Sequence, residues 1–257
     1  MNVERFLDRY DRQIRLFGVE GQEKIAKSKV FIAGAGGLGS PISFYLAAAG
    51  VGKIVIADDD EVEISNLNRQ ILHWERDIGK KKALSAKEKL SEMNSDIVID
   101  TTAETISEEN VSRLVGDADL VIDAVDNFPV RYLLNETAIK KAIPFIHGAI
   151  CGFHGQATTV IPGESACLRC IFPEAPPSAP SPVVGTTPGI IGLVQATEAI
   201  KYITGTGELL SGRLLIWDGL LPSLETIEVS RDPRCPDCAG PGQIIPPRID
   251  RLRRRKT

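Results

Sequence analysis

The chain has 257 residues, of which 43% are hydrophobic and 25% are charged, and its formal net charge is −4. These values are ordinary for a globular protein, and the length suits one large α/β domain or one domain with an appendage. No uninterrupted apolar stretch is long enough for a transmembrane helix, and residues 1–13 lack the apolar core of a signal peptide. We therefore expect no membrane partner and predict a cytoplasmic location.

The charge is unevenly distributed, because residues 248–257 hold six basic side chains and one acidic side chain. A basic tail can contact nucleic acid or an acidic partner, but charged chain ends are more often solvated. We predict that residues 241–257 form a disordered basic tail, and we expect no nucleic acid partner.

An amphipathic helical arm is predicted for residues 1–27. Apolar side chains recur there at intervals of three to four residues, which is the spacing of one helix face; they include Phe6, Leu7, Tyr10 and Ile14. Gly18 and Gly21 are predicted to break the helix. From the residues alone, Arg12 is typical of a charged, solvent-facing side.

Residues 30–58 form the pattern of a nucleotide-binding βαβ unit. The apolar segment 30–33 predicts a buried strand, a G-x-G-x-x-G turn follows, residues 40–49 predict a helix, and residues 53–57 predict a second strand. Glycines let the backbone approach a phosphate, and the helix start supplies unpaired N–H groups. Asp58 closes the second strand where an acid can reach a ribose hydroxyl. The glycines that would border the nucleotide are Gly34, Gly36, Gly37 and Gly39.

The residues after Asp58 indicate which nucleotide is bound. Asp60 leads into a polar and cationic series that contains Asn66, Arg69 and Gln70. Three consecutive lysines end at Lys82, which opens a helix predicted for residues 82–93. Because cations are unfavourable at a helix N-terminus, an anionic neighbour is inferred. A triphosphate needs such cations, whereas an NAD-dependent oxidoreductase, the alternative for this motif, does not.

A second acid lies at the end of another predicted strand, residues 119–125, where Asp126 and Asn127 follow. Ligands in open α/β sheets bind outside the carboxyl ends of the strands, and a carboxylate that faces phosphates is a natural Mg²⁺ ligand. The alternative is that Asp126 caps the helix predicted for residues 130–141. We favour the Mg²⁺ role and interpret Arg131 as a structural partner of this acid.

The remaining pattern predicts an α/β fold with a Rossmann-like, mostly parallel sheet flanked by helices and a C-terminal antiparallel extension. His147 and His154 have no matched acid and nucleophile nearby, so both are interpreted as structural or solvent-facing. The proline-rich segment 174–188 is predicted to be irregular. The other predicted elements are strands at 97–103, 143–147, 214–217 and 224–229, helices at 108–114 and 189–204, and a hairpin within 148–160.

Four of the five cysteines form two C-x-x-C pairs, Cys167 with Cys170 and Cys235 with Cys238. Two such pairs predict a closed tetrahedral zinc site. Disulfides are disfavoured in the cytoplasm, and a redox C-x-x-C would leave the second pair unexplained. Cys151 has small, apolar neighbours and is predicted to be a buried packing cysteine.

In their order, these motifs resemble the MoeB/ThiF/HesA family, which shares its adenylating domain with the ubiquitin-activating enzymes. The resemblance runs from the RYDRQ motif at residues 9–13 to the second C-x-x-C pair. It implies a single adenylating domain over residues 1–257, with a nucleotide-binding part at 28–150 and a zinc-bearing, carrier-binding part at 151–240. The segment 174–188 corresponds to the family's crossover loop, which passes over the acyl adenylate.

The resemblance also implies roles for individual residues. Asp58 would hold the ribose of ATP, and Asp126 would hold Mg²⁺. Phosphates would be held by Asn66, Arg69 and Lys82, and by Arg12 from the partner subunit of a homodimer. Asp60, Gln70 and Asn127 complete the expected nucleotide-binding set, and the expected catalytic residues are Arg12, Arg69, Lys82 and Asp126.

The implied activity is adenylation of the C-terminal glycine of a small β-grasp sulfur-carrier protein that ends in Gly-Gly. The alternative within the same chemistry is a relative that adenylates a small-molecule or tRNA-base carboxylate. No rhodanese segment follows the second C-x-x-C pair, so a separate sulfur donor is expected. Because segment 174–188 has no cysteine and Cys151 is expected to be buried, no covalent enzyme–carrier intermediate is expected.

Overall fold

The computed structural model describes residues 3–176 and 182–239. Its helices are α1 (Val3–Lys27), α2 (Gly39–Ala49), α3 (Lys82–Met93), α4 (Val111–Val115), α5 (Phe128–Lys141), α6 (Leu168–Ile171) and α7 (Thr186–Thr204). Its strands are β1 (Lys29–Ala33), β2 (Lys53–Ala57), β3 (Val98–Thr102), β4 (Leu120–Asp123), β5 (Phe145–Cys151), β6 (His154–Val160), β7 (Arg213–Asp218) and β8 (Ser223–Glu228). The predicted basic tail, residues 241–257, lies outside the described residues.

All of these strands belong to one eight-stranded sheet in the order β3-β2-β1-β4-β5-β6-β7-β8. Strands β1 to β5 are parallel, and β6 to β8 continue the sheet with antiparallel pairs. The predicted fold class is therefore confirmed. From β1 the chain adds strands in one direction through β2 and β3, then returns to the other side of β1 with β4. The gap between the ends of β1 and β4 is the topological switch point, where such sheets bind ligands.

The two faces of the sheet carry two hydrophobic cores. Alternate residues of β1 point to opposite faces, so Val30 and Ile32 join one core while Phe31 and Ala33 join the other. Helices α2, α3 and α7 cover the first face, and α4, α5 and α6 cover the second. Because β1 is buried on both sides, it reads as a continuous apolar run, as predicted.

Helix α1 is bent at Gly18, whose backbone is non-helical with φ 73° and ψ 171°. The predicted break at Gly18 is confirmed, but Gly21 is helical and buried, so the break predicted there is wrong. The first half of α1 is anchored by its buried face, where the Tyr10 hydroxyl accepts a hydrogen bond from Asn94 Nδ2 at 3.0 Å.

Two predicted helix starts are too late. Helix α5 begins at Phe128 rather than residue 130, because Asn127 caps it and Pro129 occupies its first turn. Helix α7 begins at Thr186, inside the segment predicted to be irregular, and it accommodates Pro188 in its first turn. Among the described helices, none is both long and apolar enough to cross a lipid bilayer.

Candidate functional site

The glycine-rich turn fills the switch point at the end of β1. Gly34 has a positive φ of 103°, and a Cβ there would lie 2.6 Å from the Ala124 carbonyl oxygen at the end of β4. A Cβ on Gly39 would lie 2.1 Å from the Gly34 carbonyl oxygen. Both positions therefore require glycine, because any side chain would push α2 or β4 away. The turn delivers the N-terminus of α2 to the carboxyl edge of the sheet, as an anion site requires.

Space and unpaired polar atoms lie next to this turn. The nearest neighbour of a Cβ on Gly36 would be Gln70 Nε2, at 3.6 Å, so the backbone there is open to close approach. The buried Gln70 Oε1 and Ser40 Oγ have no hydrogen-bond partner among the described residues. Buried polar atoms are almost always paired, so these two fit a polar ligand in the turn.

Asp58 holds the turn in place. Its Oδ2 accepts a hydrogen bond from the Ala35 amide at 2.7 Å, and its Oδ1 accepts one from the Asp60 amide at 3.0 Å. Burial raises the pKa of Asp58, against the opposing effects of the Ala35 hydrogen bond and the Lys82 charge. The carboxylate is thus fixed at the end of β2, one strand from the switch point, and its ribose contact stays a prediction.

Lys82 and Asp60 form an ion pair at the start of α3. The Lys82 ammonium lies 2.7 Å from Asp60 Oδ2, and the Lys82 amide donates to the Asp60 carbonyl at 2.9 Å. Only 6% of the Lys82 side chain is exposed, compared with 69% of the Asp60 side chain. The predicted anionic neighbour of the lysines is therefore present in the chain itself, and Lys82 retains donors for a second anion.

Arg69 lies beside the glycine turn and has no carboxylate within ion-pair distance in the described parts of the chain. Its Nη1 donates to the Ser65 carbonyl at 2.9 Å and to Asn68 Oδ1 at 3.0 Å. Its Cγ would lie 3.7 Å from a Cβ on Gly37. Asn66 supports this loop, since its Oδ1 accepts the Glu63 amide at 3.1 Å. An uncompensated guanidinium next to a glycine turn is suited to a phosphate.

Asp126 and Asn127 lie at the end of β4, across the switch point from Asp58. Asn127 Oδ1 accepts the Val130 amide at 3.1 Å, so Asn127 caps α5. Asp126 is exposed, and among the described residues its side chain has only a long 3.4 Å contact with Asn127 Nδ2. The alternative that Asp126 is the helix cap is therefore wrong. Its carboxylate is left available for a cation, although the Mg²⁺ role itself stays a prediction.

Arg131 does not pair with Asp126, so the interpretation of Arg131 as a structural partner of that acid is wrong. Its Nε lies 3.4 Å from Oδ2 of Asp123, a fully buried acid at the end of β4, and its Nη2 donates to the Val125 carbonyl at 2.8 Å. His147 Nδ1 lies 2.6 Å from the same Asp123 oxygen. Burial lowers the pKa of His147, against the effect of Asp123, so the ring is neutral and donates from Nδ1. His147 therefore has the matched acid that the sequence did not reveal.

His73 is a second buried histidine that the sequence reasoning missed. Its Nε2 lies 2.9 Å from the carbonyl oxygen of Ala35 in the glycine turn, and its Nδ1 lies 2.9 Å from Ser85 Oγ. Burial lowers the pKa of His73 to about 4, so it supports the turn as a neutral donor. A lone histidine between an apolar strand and a helix carries no signal of such a contact.

Arg12 is far from the nucleotide turn of its own chain. It is exposed on α1, and the neighbouring Gln13 donates to the Ala49 carbonyl at 3.1 Å, at the C-terminal end of α2. Gly39 lies at the opposite end of α2, and a rise of 1.5 Å per residue places it about 15 Å from Ala49. The structure therefore does not bring Arg12 together with the other predicted phosphate ligands of the same chain.

The four paired cysteines meet on the second face of the sheet, with all Sγ atoms within 4.8 Å of one another. The Sγ–Sγ distances are 3.8 Å for Cys167–Cys170, 3.5 Å for Cys167–Cys235 and 3.4 Å for Cys170–Cys238. Tetrahedral zinc thiolates with bonds of about 2.3 Å require sulfur separations of about 3.8 Å. The cluster fits one metal ion. Burial raises the pKa of the Cys238 thiol to about 11.

Asn135 of α5 links both cysteine pairs. Its Oδ1 accepts the Leu168 amide at 2.9 Å, and its Nδ2 donates to Asp237 at 2.9 Å. Arg169 extends the link, with its guanidinium 3.6 Å from the Tyr132 ring. The cysteine cluster is thus attached to the helix whose N-terminus follows Asp126.

Cys151 is exposed, so the prediction of a buried packing cysteine is wrong. Its neighbours are apolar, but it ends β5 at the tip of a tight hairpin, opposite His154. The adjacent Gly152 donates its amide at 2.7 Å to the carbonyl of Pro182, which lies within segment 174–188. Burial therefore no longer argues against a reactive Cys151, while the absence of cysteine from segment 174–188 argues only against a thiol nucleophile in that segment.

Comparison with known proteins gives a consistent result. The profile of the ThiF family matches residues 10–237. The chain is 45% identical over 244 residues to "SAMP-activating enzyme E1" of Haloferax volcanii, covering 92% of this chain and 90% of that one. It is 41% identical to "Sulfur carrier protein adenylyltransferase" of Thermus thermophilus, with 90% of each chain covered.

Two further matches extend the comparison. "Adenylyltransferase and sulfurtransferase MOCS3-1" of Zea mays is 42% identical, and the match covers 91% of this chain but 52% of the maize protein. Among solved structures, E. coli MccB crystallised with MccA-N7isoASN aligns with a TM-score of 0.84 and 24% identity, over 91% of this chain and 75% of MccB. At that identity the structural match supports the shared fold.

Proposed function

The chain belongs to the ThiF family, and from this premise we propose that it catalyses the ATP-dependent adenylation of a small ubiquitin-like sulfur-carrier protein. One relative is named as a sulfur carrier protein adenylyltransferase and another as a SAMP-activating enzyme E1, and each is matched over 90% of its length. The substrate group is the carboxylate of the carrier's C-terminal glycine, and the products are the acyl adenylate and pyrophosphate.

One observation carries the proposal. At the switch point, the uncompensated guanidinium of Arg69, the buried ammonium of Lys82 and the exposed carboxylate of Asp126 surround a turn that admits no side chain at Gly34 or Gly39. Two cations and one metal-ligating acid match a triphosphate with its magnesium ion. A nicotinamide cofactor would leave all three without a function.

In the reaction, a carboxylate oxygen of the carrier attacks the α-phosphorus of ATP, and the bond between that phosphorus and the bridging oxygen to the β-phosphate breaks. The chain's residues position the reactants and neutralise charge, and no side chain has to act as a nucleophile. Asp58 would orient the ribose. Arg69 and Lys82 would hold the phosphates, with Arg12 supplied by the partner subunit.

The nucleotide also needs a cation, and Asp126 is the residue that would hold it. When bound, Mg²⁺ supplies charge neutralisation to the leaving pyrophosphate. Asp60 and Gln70 would complete the contacts with the nucleotide near the turn. Asn66 and Asn127 would contribute through the loops that they stabilise. Zinc is the ion that we assign to the cysteine cluster, because four thiolates leave no open coordination position for chemistry.

We further propose that the enzyme is a cytoplasmic homodimer. The distance of Arg12 from the turn of its own chain supports a shared site, because an arginine of this helix can serve a nucleotide only in another subunit. Residues 28–150 would bind the nucleotide, residues 151–240 would receive the carrier, and a separate protein would donate sulfur. The alternative is a substrate of small-molecule or tRNA-base type, adenylated by the same residues.

The test is pyrophosphate exchange into ATP with purified protein, magnesium and a carrier that ends in Gly-Gly. We expect exchange that depends on the carrier and disappears when its terminal glycine is deleted. Exchange with the truncated carrier, or with a small carboxylate in its place, would favour the alternative substrate. A change of NADH absorbance without any pyrophosphate exchange would overturn the adenylation proposal.

A further inference from the structure

Contacts of its own side chain do little to fix Asp126, the acid proposed to bind the metal. Asp126 is exposed, and within residues 3–176 and 182–239 its carboxylate has only the 3.4 Å contact with Asn127. A metal ligand that is free to move binds weakly, so something else must fix its direction. The backbone just before it is where the structure supplies that restraint.

Both polar groups of Val125, the residue before Asp126, are held. Its amide donates to Asp123 Oδ1 at 3.1 Å, and its carbonyl accepts from Arg131 Nη2 at 2.8 Å. Together these bonds fix the backbone on both sides of the Val125 Cα. The carbonyl bond also sets the plane of the peptide that leads into Asp126.

Asp123 and Arg131 are in turn fixed by burial and by each other. Asp123 and His147 have no exposed surface, and 7% of the Arg131 side chain is exposed. His147 donates from Nδ1 to Asp123 at 2.6 Å, and its Nε2 faces Gln156 Nε2 at 3.4 Å, an arrangement in which the amide donates to the ring. Phe145 stacks on the His147 ring with centroids 6.4 Å apart. Burial and these contacts together restrict the movement of all three side chains, although Arg131 Nε makes no hydrogen bond among the described residues.

Helix α7 contributes further hydrogen bonds at the end of β4. Gln195 Nε2 donates to the Asp123 carbonyl at 2.6 Å and to the Ile146 carbonyl at 3.2 Å. A buried ion cluster of this kind is expensive, since apolar residues of similar volume often serve stability as well or better. Stability alone therefore gives little reason for three buried ionisable groups beside an exposed acid.

We propose that Arg131, held by Asp123 and His147, is a positioning residue that aims Asp126 at the divalent cation of the bound nucleotide. Arg131 does not touch the nucleotide; it acts through the Val125 carbonyl. This inference rests on the proposed function to the extent that Asp126 is the metal ligand. According to this proposal, metal binding depends on a group of buried residues, whereas nucleotide binding as such does not.

The test is direct metal binding, without a carrier. Manganese is titrated into protein loaded with α,β-methylene ATP, and free Mn²⁺ is followed by electron paramagnetic resonance. Arg131→Lys keeps the charge but replaces a planar fork with a single ammonium, so it cannot hold the Val125 carbonyl and Asp123 in the same geometry. We expect manganese to bind about 10- to 100-fold more weakly, the usual cost of losing a group behind a metal ligand.

Affinity for the same nucleotide in EDTA separates positioning from a general loss of structure, and it should stay within about twofold of wild type. Arg113→Lys, at an exposed arginine paired with Glu104, is the matched control and should bind manganese normally. His147→Leu, which removes the donor to Asp123 among aromatic neighbours, gives the same test should Arg131→Lys not fold.

Wild-type manganese affinity in either folded variant would overturn the proposal, even with a lowered melting temperature. An equal loss of metal-free nucleotide affinity would overturn it as well, and so would a wild-type protein that binds no metal with the nucleotide. Failure of the proposed function is a different result: wild-type protein that binds manganese and nucleotide but shows no carrier-dependent pyrophosphate exchange.

Discussion

The nucleotide edge of the sheet and the cysteine cluster both join segments that are distant in sequence, but they are held in opposite ways. At the edge, the backbone is tight, Arg69 is half-buried without a carboxylate partner among the described residues, and Asp126 is exposed. In the cluster, the ligand atoms face one another, and Cys167, Cys235 and Cys238 are buried. Unsatisfied groups on a fixed backbone are suited to binding, whereas mutually satisfied groups are suited to stability.

The largest contrast should come from removing charges at the edge. We expect Arg69→Ala, Lys82→Ala and Asp126→Ala each to lower pyrophosphate exchange by at least about 100-fold, the scale of losing one preorganised charge. The fold should survive, because Arg69 is only half-buried, Asp126 is exposed and the partner of Lys82, Asp60, is solvated. Exchange rates and melting temperatures measure the two effects, with Arg113→Ala as the control. A variant with near wild-type exchange would remove that residue from the site.

The cysteine cluster should respond in the opposite way. We expect about one zinc ion per chain and expect Cys235→Ser to lower the free energy of unfolding more than it alters the exchange rate of folded protein. In native protein, iodoacetamide should label the exposed Cys151 while the other four thiols react only after a chelator is added. Cys151→Ser should leave the melting temperature unchanged. Protein prepared without chelator and found to lack zinc would refute the assignment.

The tight backbone at the edge should depend on its buried polar support. The pKa of His73 is about 4 in the folded chain and about 6.5 when unfolded. As the pH falls from about 6.5 to 4, the His73 ring binds a proton in the unfolded chain but stays largely neutral in the folded chain. The free energy of unfolding should therefore decrease by about 3 kcal/mol across that interval from this group.

His73→Gln removes the titrating ring and should be less stable than wild type at pH 7.5. The two stabilities should converge as the pH is lowered to 4.5, which urea denaturation at the two pH values would measure. Parallel pH dependence in both proteins would show that His73 is not a buried neutral group supporting the glycine turn.

The smallest expected effect tests whether the edge extends across two subunits. An Arg12→Ala chain mixed with a Lys82→Ala chain forms heterodimers in which one site has both residues intact. After random exchange, half of the dimers are mixed and each has one complete site, so about a quarter of wild-type activity should return. If subunit exchange is demonstrated and no activity returns, Arg12 is not shared between subunits.

The fold was predictable where local patterns agree with tertiary burial. Helix α3 has the predicted bounds, Lys82–Met93, because its composition, rich in Ala, Leu, Glu and Lys, favours a helix. Strands β1, β2 and β4 were recognisable as short apolar runs, and β3 was recognisable by its alternating pattern. The start of α7 was missed because Pro188 was taken to exclude a helix, although proline is compatible with a first turn.

The supports of the candidate site were not predictable in the same way. Asp123, Arg131 and His147 come from three elements, and their contact depends on the sheet order, which no local window contains. Arg131 was assigned to the acid five residues before it, yet the structure turns its side chain towards the buried strand instead. Cys151 was judged by its sequence neighbours, whereas its exposure follows from its place at a hairpin tip.

The cysteine pairs that Asn135 bridges in the fold are far apart in sequence, and this separation has a consequence for biosynthesis. Cys167 and Cys235 are 68 residues apart, so a ribosome adding 5–20 residues per second makes the second pair about 3–14 s after the first. During that interval Cys167 and Cys170 lack their metal-sharing partners and are open to oxidation. Metal capture is therefore a late step, and oxidative stress during translation should harm newly made chains far more than mature ones.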